Sequence, residues 1–429
     1  MTAPKTRSSA REDFPTWMRI GWLSFGGPAG QIALMHRLLV DELRWIEERR
    51  FMAALNFCML LPGPEAQQLA TYIGWYRAGW RGALVAGGLF VLPGMLCMLL
   101  LSAAYVSVGE LRPVNAAFLG VKCAVLSIVV EALWRIGRRA LTFRLAPWIA
   151  LTAFVAIYAF SIPFPIIILA AGALGYFMRS ATPAEAHVLA HDGGVRANLR
   201  LAAAAILAWV VPVLAVIVLA GIDSTLARIG LFYSVVAMVT FGGAYAVLGY
   251  VAERAAGDWG WLDAKQMADG LGLAETTPGP LILVLQFVAF IAAFRTGGSA
   301  HPYGLAIVAS VLASWVLFVP SFVWIFLGGP HLERINADPR LRGALSCVTA
   351  AVVGVVLNLT VWFAVHVVFA EVHRVKAGPL SLLWPAVSTL DVRALGLVIL
   401  SAVLMFGLGQ GIVRTIGICA VAGLLVGYL

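Results

Sequence analysis

Leu61-Pro62-Gly63-Pro64-Glu65-Ala66-Gln67-Gln68 is answered further along the chain by Glu275-Thr276-Thr277-Pro278-Gly279-Pro280. Two prolines withdraw amide donors and bar continuous helix, and the glycine between them opens backbone angles closed to other residues. A helix has to stop and restart at each place. The distance from Pro62 to Pro278 is 216 residues, and it recurs. Phe25-Gly26-Gly27 returns as Phe241-Gly242-Gly243, and Trp45-Ile46-Glu47 as Trp261-Leu262-Asp263, at the same offset. Past an insertion around Arg295 to Tyr303 the offset becomes 227, pairing Pro93 with Pro320 and Ala124-Val125 with Ala351-Val352. Matches at a fixed spacing mean that one structural unit is present twice.

The unit is built for lipid. Hydrophobic residues make up 61% of the chain and charged residues 12%, a ratio that a soluble domain of this length does not carry. Charges gather in short stretches between apolar runs of about 17 to 26 residues, the length a helix needs to cross a bilayer. Nothing alternates with the period of a transmembrane β-barrel. The candidate segments are 14–40, 51–75, 83–108, 113–134, 145–160, 162–178, 201–221, 227–250, 266–294, 303–327, 344–369, 392–408 and 411–428.

Segments one to six correspond to eight to thirteen, and the seventh stands between the halves. The organisation read from this is a tail over 1–13, a first repeat over 14–178, a linker and connecting helix over 179–226, and a second repeat over 227–429. The fold class is an all-α integral membrane protein: two homologous six-segment halves, joined by an extra transmembrane helix, with Gly/Pro-broken helices. One odd crossing between the halves turns the second upside down, the inverted arrangement of many secondary transporters. Segments 14–40 and 51–75 serve equally as full spans or as re-entrant hairpins, since both keep the parity.

Lys5, Arg7 and Arg11, the cluster Arg135, Arg138, Arg139 and Arg144, and the linker arginines Arg179, Arg196 and Arg200 all belong on the cytoplasmic side. The expected location is a bacterial inner membrane, multi-pass, with the N-terminus cytoplasmic and no signal peptide removed. The net charge of +9 follows from this topology and forms no basic face interleaved with aromatics, so no nucleic-acid partner is expected. Five cysteines lie singly in apolar runs, and no metal site or cofactor is expected. His187 and His191 sit i, i+4 in the polar linker without further ligands. No Walker loop is present, and Gly407, Gly409 and Gly411 do not follow a strand. An enzyme acting on lipid-linked phosphates would want clustered acids or an activated nucleophile, and none is apparent.

In a broken helix the restarting segment points its free N–H groups and positive dipole end into the membrane, where an anion is attracted. Pro64 suits the first position of such a segment. Phe25-Gly26-Gly27-Pro28 repeats the device, and Gly242-Gly243 and Pro278-Gly279-Pro280 supply it in the second half. Tight helix packing is the alternative use of such residues. Gln67, Gln68, Thr276 and Thr277 offer neutral hydrogen bonds beside the breaks. Lys122, deep in segment 113–134, needs a partner or an anion; an acid such as Glu65 would serve. Glu65 and Glu275 flank the breaks as capping charges or as proton-coupling groups, since a carboxylate in low dielectric takes up a proton more readily.

At these residues the sequence resembles the chromate ion transporter family in its long-chain, two-domain form. The resemblance runs from about Trp17 to Leu429, on FGGP at Phe25 to Pro28, LPGPEAQQLATYIGW at Leu61 to Trp75, FGGAYAVL at Phe241 to Leu248 and LAETTPGPLILVLQFV at Leu273 to Val288. It implies export of chromate from the cytoplasm and resistance to it, with sulfate as the look-alike anion. Chromate or sulfate, membrane lipid and a second copy of the chain are the expected partners. Expelling a dianion from a negative interior is favoured by about 4.6 kcal/mol per 100 mV. The second half departs from the first where Ala244 replaces Pro28 and Thr349 stands opposite Lys122, so the halves are expected to contribute unequally.

Overall fold

A computed structural model describes residues 9–25, 27–109, 111–178, 195–241, 243–297, 301–332, 335, 338–378 and 380–427. Gly26, Gly242, His187 and His191 lie outside them.

The first repeat opens with α1 (Ala10–Leu23), capped by Ser9 and Glu12 in a reciprocal capping box. Its chain breaks at Ser24–Phe25, restarts as α2 (Gly27–His36) and runs on through a wide turn over Arg37–Glu42. Next come α3 (Glu48–Leu60), the Pro62-Gly63-Pro64 break and α4 (Glu65–Val108). Inside α4, Ala78 and Gly79 leave helical angles, dividing a short arm from a long apolar one.

These breaks are hairpin tips. Arg50 lies over the ring of Tyr76 at 4.1 Å, and the rings of Phe57 and Tyr72 are 6.4 Å apart, so contacts mirror about residue 63. A straight helix would hold Phe57 and Tyr72 about 22 Å apart. Around the first break, the Trp17 and Trp45 rings lie 6.2 Å apart. Arg77 closes the open end of both hairpins, bonding Asp13 at 2.8 and 2.9 Å while its guanidinium covers Trp45 at 3.8 Å.

The second repeat does the same. There α9 (Thr225–Val239) and α10 (Ala244–Ala252) fold about residue 241, with Phe232 and Tyr250 rings 5.3 Å apart. Then α11 (Ala264–Thr276) and α12 (Val284–Thr296) fold about Pro278–Gly279, and Arg295 donates to the Trp261 carbonyl at 3.2 Å. Segments 14–40, 51–75, 227–250 and 266–294 are therefore re-entrant hairpins. Thirteen apolar segments remain, but four of them turn back.

Among the described residues, five helices have the length and apolarity of a full crossing: α4, α5 (Arg112–Ala140), α8 (Val195–Ala220), α13 (Pro302–Gly328) and α14 (Pro339–Val368). Shorter helices α6 (Ala146–Tyr158) and α7 (Phe164–Phe177) pack on α14, while α15 (Val392–Ala402) and α16 (Ile412–Gly427) pack on α5. A two-stranded hairpin, β1 (Val372–Ala377) with β2 (Leu380–Pro385), joins α14 to α15.

Without a hydrophobic drive between helices in lipid, close backbone approach supplies the packing. Gly120 of α5 meets the Cys419 carbonyl of α16 so closely that a Cβ would stand 1.7 Å from it. Gly120→Leu is expected to cost at least about 1–3 kcal/mol by forcing the two helices apart. A thermal unfolding midpoint in detergent equal to that of the unaltered protein would contradict this packing.

Candidate functional site

The four hairpin tips meet in the interior, each against a tip of the other repeat. Gly63 donates its N–H to the Thr240 carbonyl at 2.8 Å, and Gly279 donates to the Ser24 carbonyl, also at 2.8 Å. Both donors and both acceptors are 216 residues apart, so one bond is the repeat of the other. At every tip a glycine takes a positive φ: Gly27 at 68°, Gly63 at 120°, Gly243 at 98° and Gly279 at 91°. A side chain there would be strained, which accounts for the repeated glycines.

Four helices restart at this point. Gly27 and Pro28 begin α2; Pro64, extended with ψ 101°, caps α4, whose first residue is Glu65 rather than the proline; Gly243 caps α10; Pro280 caps the turn leading into α12. Their free N–H groups are thus gathered in one place. Phe25 is exposed beside its tip.

Side chains make the two junctions unequal. Around Gly63, Gln67 and Gln68 are fully buried and Ser321 of α13 is 1% exposed. A Cβ on Gly63 would lie 2.8 Å from Gln68 Nε2 and 3.4 Å from Ser321 Oγ. Gln68 Nε2 donates to the Pro62 carbonyl at 2.7 Å. Its Oε1, both polar atoms of Gln67 and Ser321 Oγ find no hydrogen-bond partner among the described residues. Such groups are costly in a buried place unless something else binds them.

The other junction is filled. Leu283 and Val284 occupy the positions of Gln67 and Gln68, and Gly94 that of Ser321. A Cβ on Gly94 would stand 2.2 Å from the Pro278 carbonyl, so α4 seats directly on the turn. Gln31 donates across it to Gly279 O at 2.7 Å and Ser24 O at 3.4 Å; its donor is thus engaged, and only its acceptor Oε1 finds no partner among the described residues.

Four expected site residues lie elsewhere or are already engaged. Thr276 is exposed; its hydroxyl donates to Leu273 O at 2.9 Å, and it lines an apolar groove with Pro113, Phe118 and Leu424. Its neighbour Thr277 is buried and donates to Ala274 O at 3.0 Å. Lys122 pairs with Asp269 at 3.2 Å, not with Glu65, and Asp269 also accepts from Tyr105 at 2.7 Å. Glu275 is buried and accepts from the Tyr245 hydroxyl. Arg135 and Glu131 on α5 act on Glu275 with opposite sign, and Arg139 acts on Glu65.

Gln31, Gly94, Ser321, Asp269 and Tyr105 escaped the sequence reading. Gly94 and Ser321 directly follow the matched prolines Pro93 and Pro320, and Asp269 is an acid inside an apolar segment, so signals for them existed.

Broken helices meeting tip to tip between two repeats define a multi-pass membrane protein of the kind found among secondary transporters. The chain belongs to the chromate transporter family, whose model matches it twice, over residues 12–176 and 227–424. It is 33% identical over 357 residues to the chromate transport protein of Pseudomonas aeruginosa, covering 81% of this chain and 79% of the relative. The chromate transport protein of Cupriavidus metallidurans is 28% identical over 81% of each chain. A probable chromate transport protein of Synechococcus elongatus is 27% identical over 80% of this chain and 82% of its own. No solved structure matches the chain.

Proposed function

We propose that the protein exports chromate across the bacterial inner membrane by alternating access, binding it at the Gly63–Thr240 junction, and so confers resistance. The observation that carries this reading is the pair of buried, unpartnered donors, Gln67 Nε2 and Ser321 Oγ, beside a helix N-terminus. Neutral donors and a dipole end suit a dianion that must later leave, because they hold it without a fixed counter-charge. Arg135 and Arg139, in the C-terminal turns of α5 at the end assigned to the cytoplasm, supply positive potential on the approach.

The reciprocal tip bonds support a two-fold relation between halves 14–178 and 227–429, with the second inverted about α8. In that arrangement the hairpins of each half reach the same midplane from opposite faces, and rocking one half against the other exchanges access. The membrane potential favours exit of a dianion by about 4.6 kcal/mol per 100 mV. Sulfate is the second reading, since hydrogen-bond donors discriminate weakly between tetrahedral dianions.

Everted membrane vesicles containing the protein are expected to accumulate labelled chromate when energised, and excess sulfate to compete weakly. A folded, inserted protein that accumulates no chromate would sink the proposal. Ser321→Ala is expected to raise the KM for chromate about ten-fold, the worth of one hydrogen bond to a charged acceptor. It should also change the chromate-to-sulfate ratio, which a purely structural serine would leave alone.

A further inference from the structure

Asp269 is 1% exposed on α11, about 12 Å of helix short of the Thr277–Pro280 tip. Its two oxygens are held from two different helices: Oδ1 by Lys122 Nζ of α5 at 3.2 Å, Oδ2 by the Tyr105 hydroxyl of α4 at 2.7 Å. The repeat does not require this cluster. Ala53, Thr349 and Leu332 occupy the equivalent positions of Asp269, Lys122 and Tyr105. Tyr105 also lines a cavity of about 300 Å³, half polar and half apolar, whose polar side is formed by Asn115, Asp263, Lys265, Gln266 and Arg295. Asn115 stands near the start of α5, so this cavity lies toward the end of that helix opposite Arg135, Arg138 and Arg139.

We propose that Asp269 binds a coupling proton, delivered from this cavity through the Tyr105 hydroxyl, and that loading it releases the α11–α12 hairpin from Lys122. The inference rests on the transport reading above. Transfer is balanced: Tyr105 passes its proton to Asp269 Oδ2 and takes one from a hydronium ion in the cavity, which leaves as water, a net gain of one proton.

An ion pair out of water sits near the balance point between desolvation and Coulomb attraction. Because the carboxylate rides on a hairpin arm and the ammonium on a crossing helix, displacement of the hairpin separates them. A carboxylate left alone in that medium takes up a proton, so proton occupancy and hairpin position are linked, reciprocally. The charged groups around Asp269 are Lys122 of α5 and Lys265 of its own helix, with Asp263, the N-cap of α11, and Arg295 of α12 acting on Tyr105.

Two measurements test this. Infrared titration of the purified protein without any anion should give a protonated-carboxyl band on acidification that Asp269→Asn lacks. Proteoliposomes loaded with a pH-sensitive dye and given a chromate gradient should show a lumenal pH change whose protons per chromate fall at least about ten-fold in Asp269→Asn. Asp269→Asn strands the Lys122 charge, so Lys122→Met/Asp269→Asn, which removes both charges, is measured beside it. An infrared titration unchanged by Asp269→Asn, or either variant moving protons at the unaltered ratio, overturns the proposal. Absence of chromate flux in the unaltered protein defeats the transport reading instead, and the infrared arm still decides whether Asp269 takes the proton.

Discussion

Gly63→Leu is expected to reduce chromate accumulation in everted vesicles by at least about 100-fold, equivalent to about 3 kcal/mol, while the protein still inserts. At φ 120° the residue occupies a region open to glycine and strained by about 1–3 kcal/mol for any side chain. The added Cβ would also stand 2.8 Å from Gln68 Nε2, pushing aside the amide that ties the turn to Pro62 and sits with Gln67 and Ser321. Both effects fall on the junction proposed to hold the anion. Gly88→Leu is the matched control, since Gly88 is exposed on α4, the helix that follows the Gly63 break, and its Cβ would meet nothing within 4 Å. Near-normal transport in Gly63→Leu would remove the Gly63–Thr240 junction from the pathway.

Lys122→Met is expected to destabilise the protein by about 3–5 kcal/mol, because it leaves a buried carboxylate without its cation. Asp269→Leu should cost a similar amount by stranding the ammonium. The double variant Lys122→Met/Asp269→Leu should recover most of the loss, since no charge then remains in the interior. Thermal unfolding in detergent, monitored by the fraction that stays monodisperse, reads all three. Losses that merely add in the double variant would mean that the 3.2 Å contact carries no coupling.

The repeat was legible because the residues that make a tip are few and irreplaceable. Gly63 and Gly279 need positive φ and their flanking prolines end the helices, so identity persists at an offset of 216 where the surrounding apolar residues have drifted. Hydropathy was less decisive. Runs such as 51–75 are long enough to cross, and a Pro-Gly break permits either a kink or a reversal. Contacts mirrored about each tip, such as Arg50 with Tyr76 and Phe232 with Tyr250, settle it as reversal.

The partner of Lys122 was illegible for another reason. Asp269 lies in the other repeat, and nothing local distinguishes it from Glu65 as a counter-charge. The same holds for Ser321, which reaches Gly63 only because α13 packs across the repeat boundary.

By itself the sequence determined a lipid-embedded helical chain, its duplication, and the places where helices must break, since these depend on composition, fixed spacing and the backbone limits of proline and glycine. Only the tertiary structure decided that the breaks are hairpin tips paired across the repeats and that one junction is polar and the other filled. It alone also placed the buried ammonium on Asp269. Those outcomes depend on which side chains from distant segments share a volume, and local pattern carries no record of that.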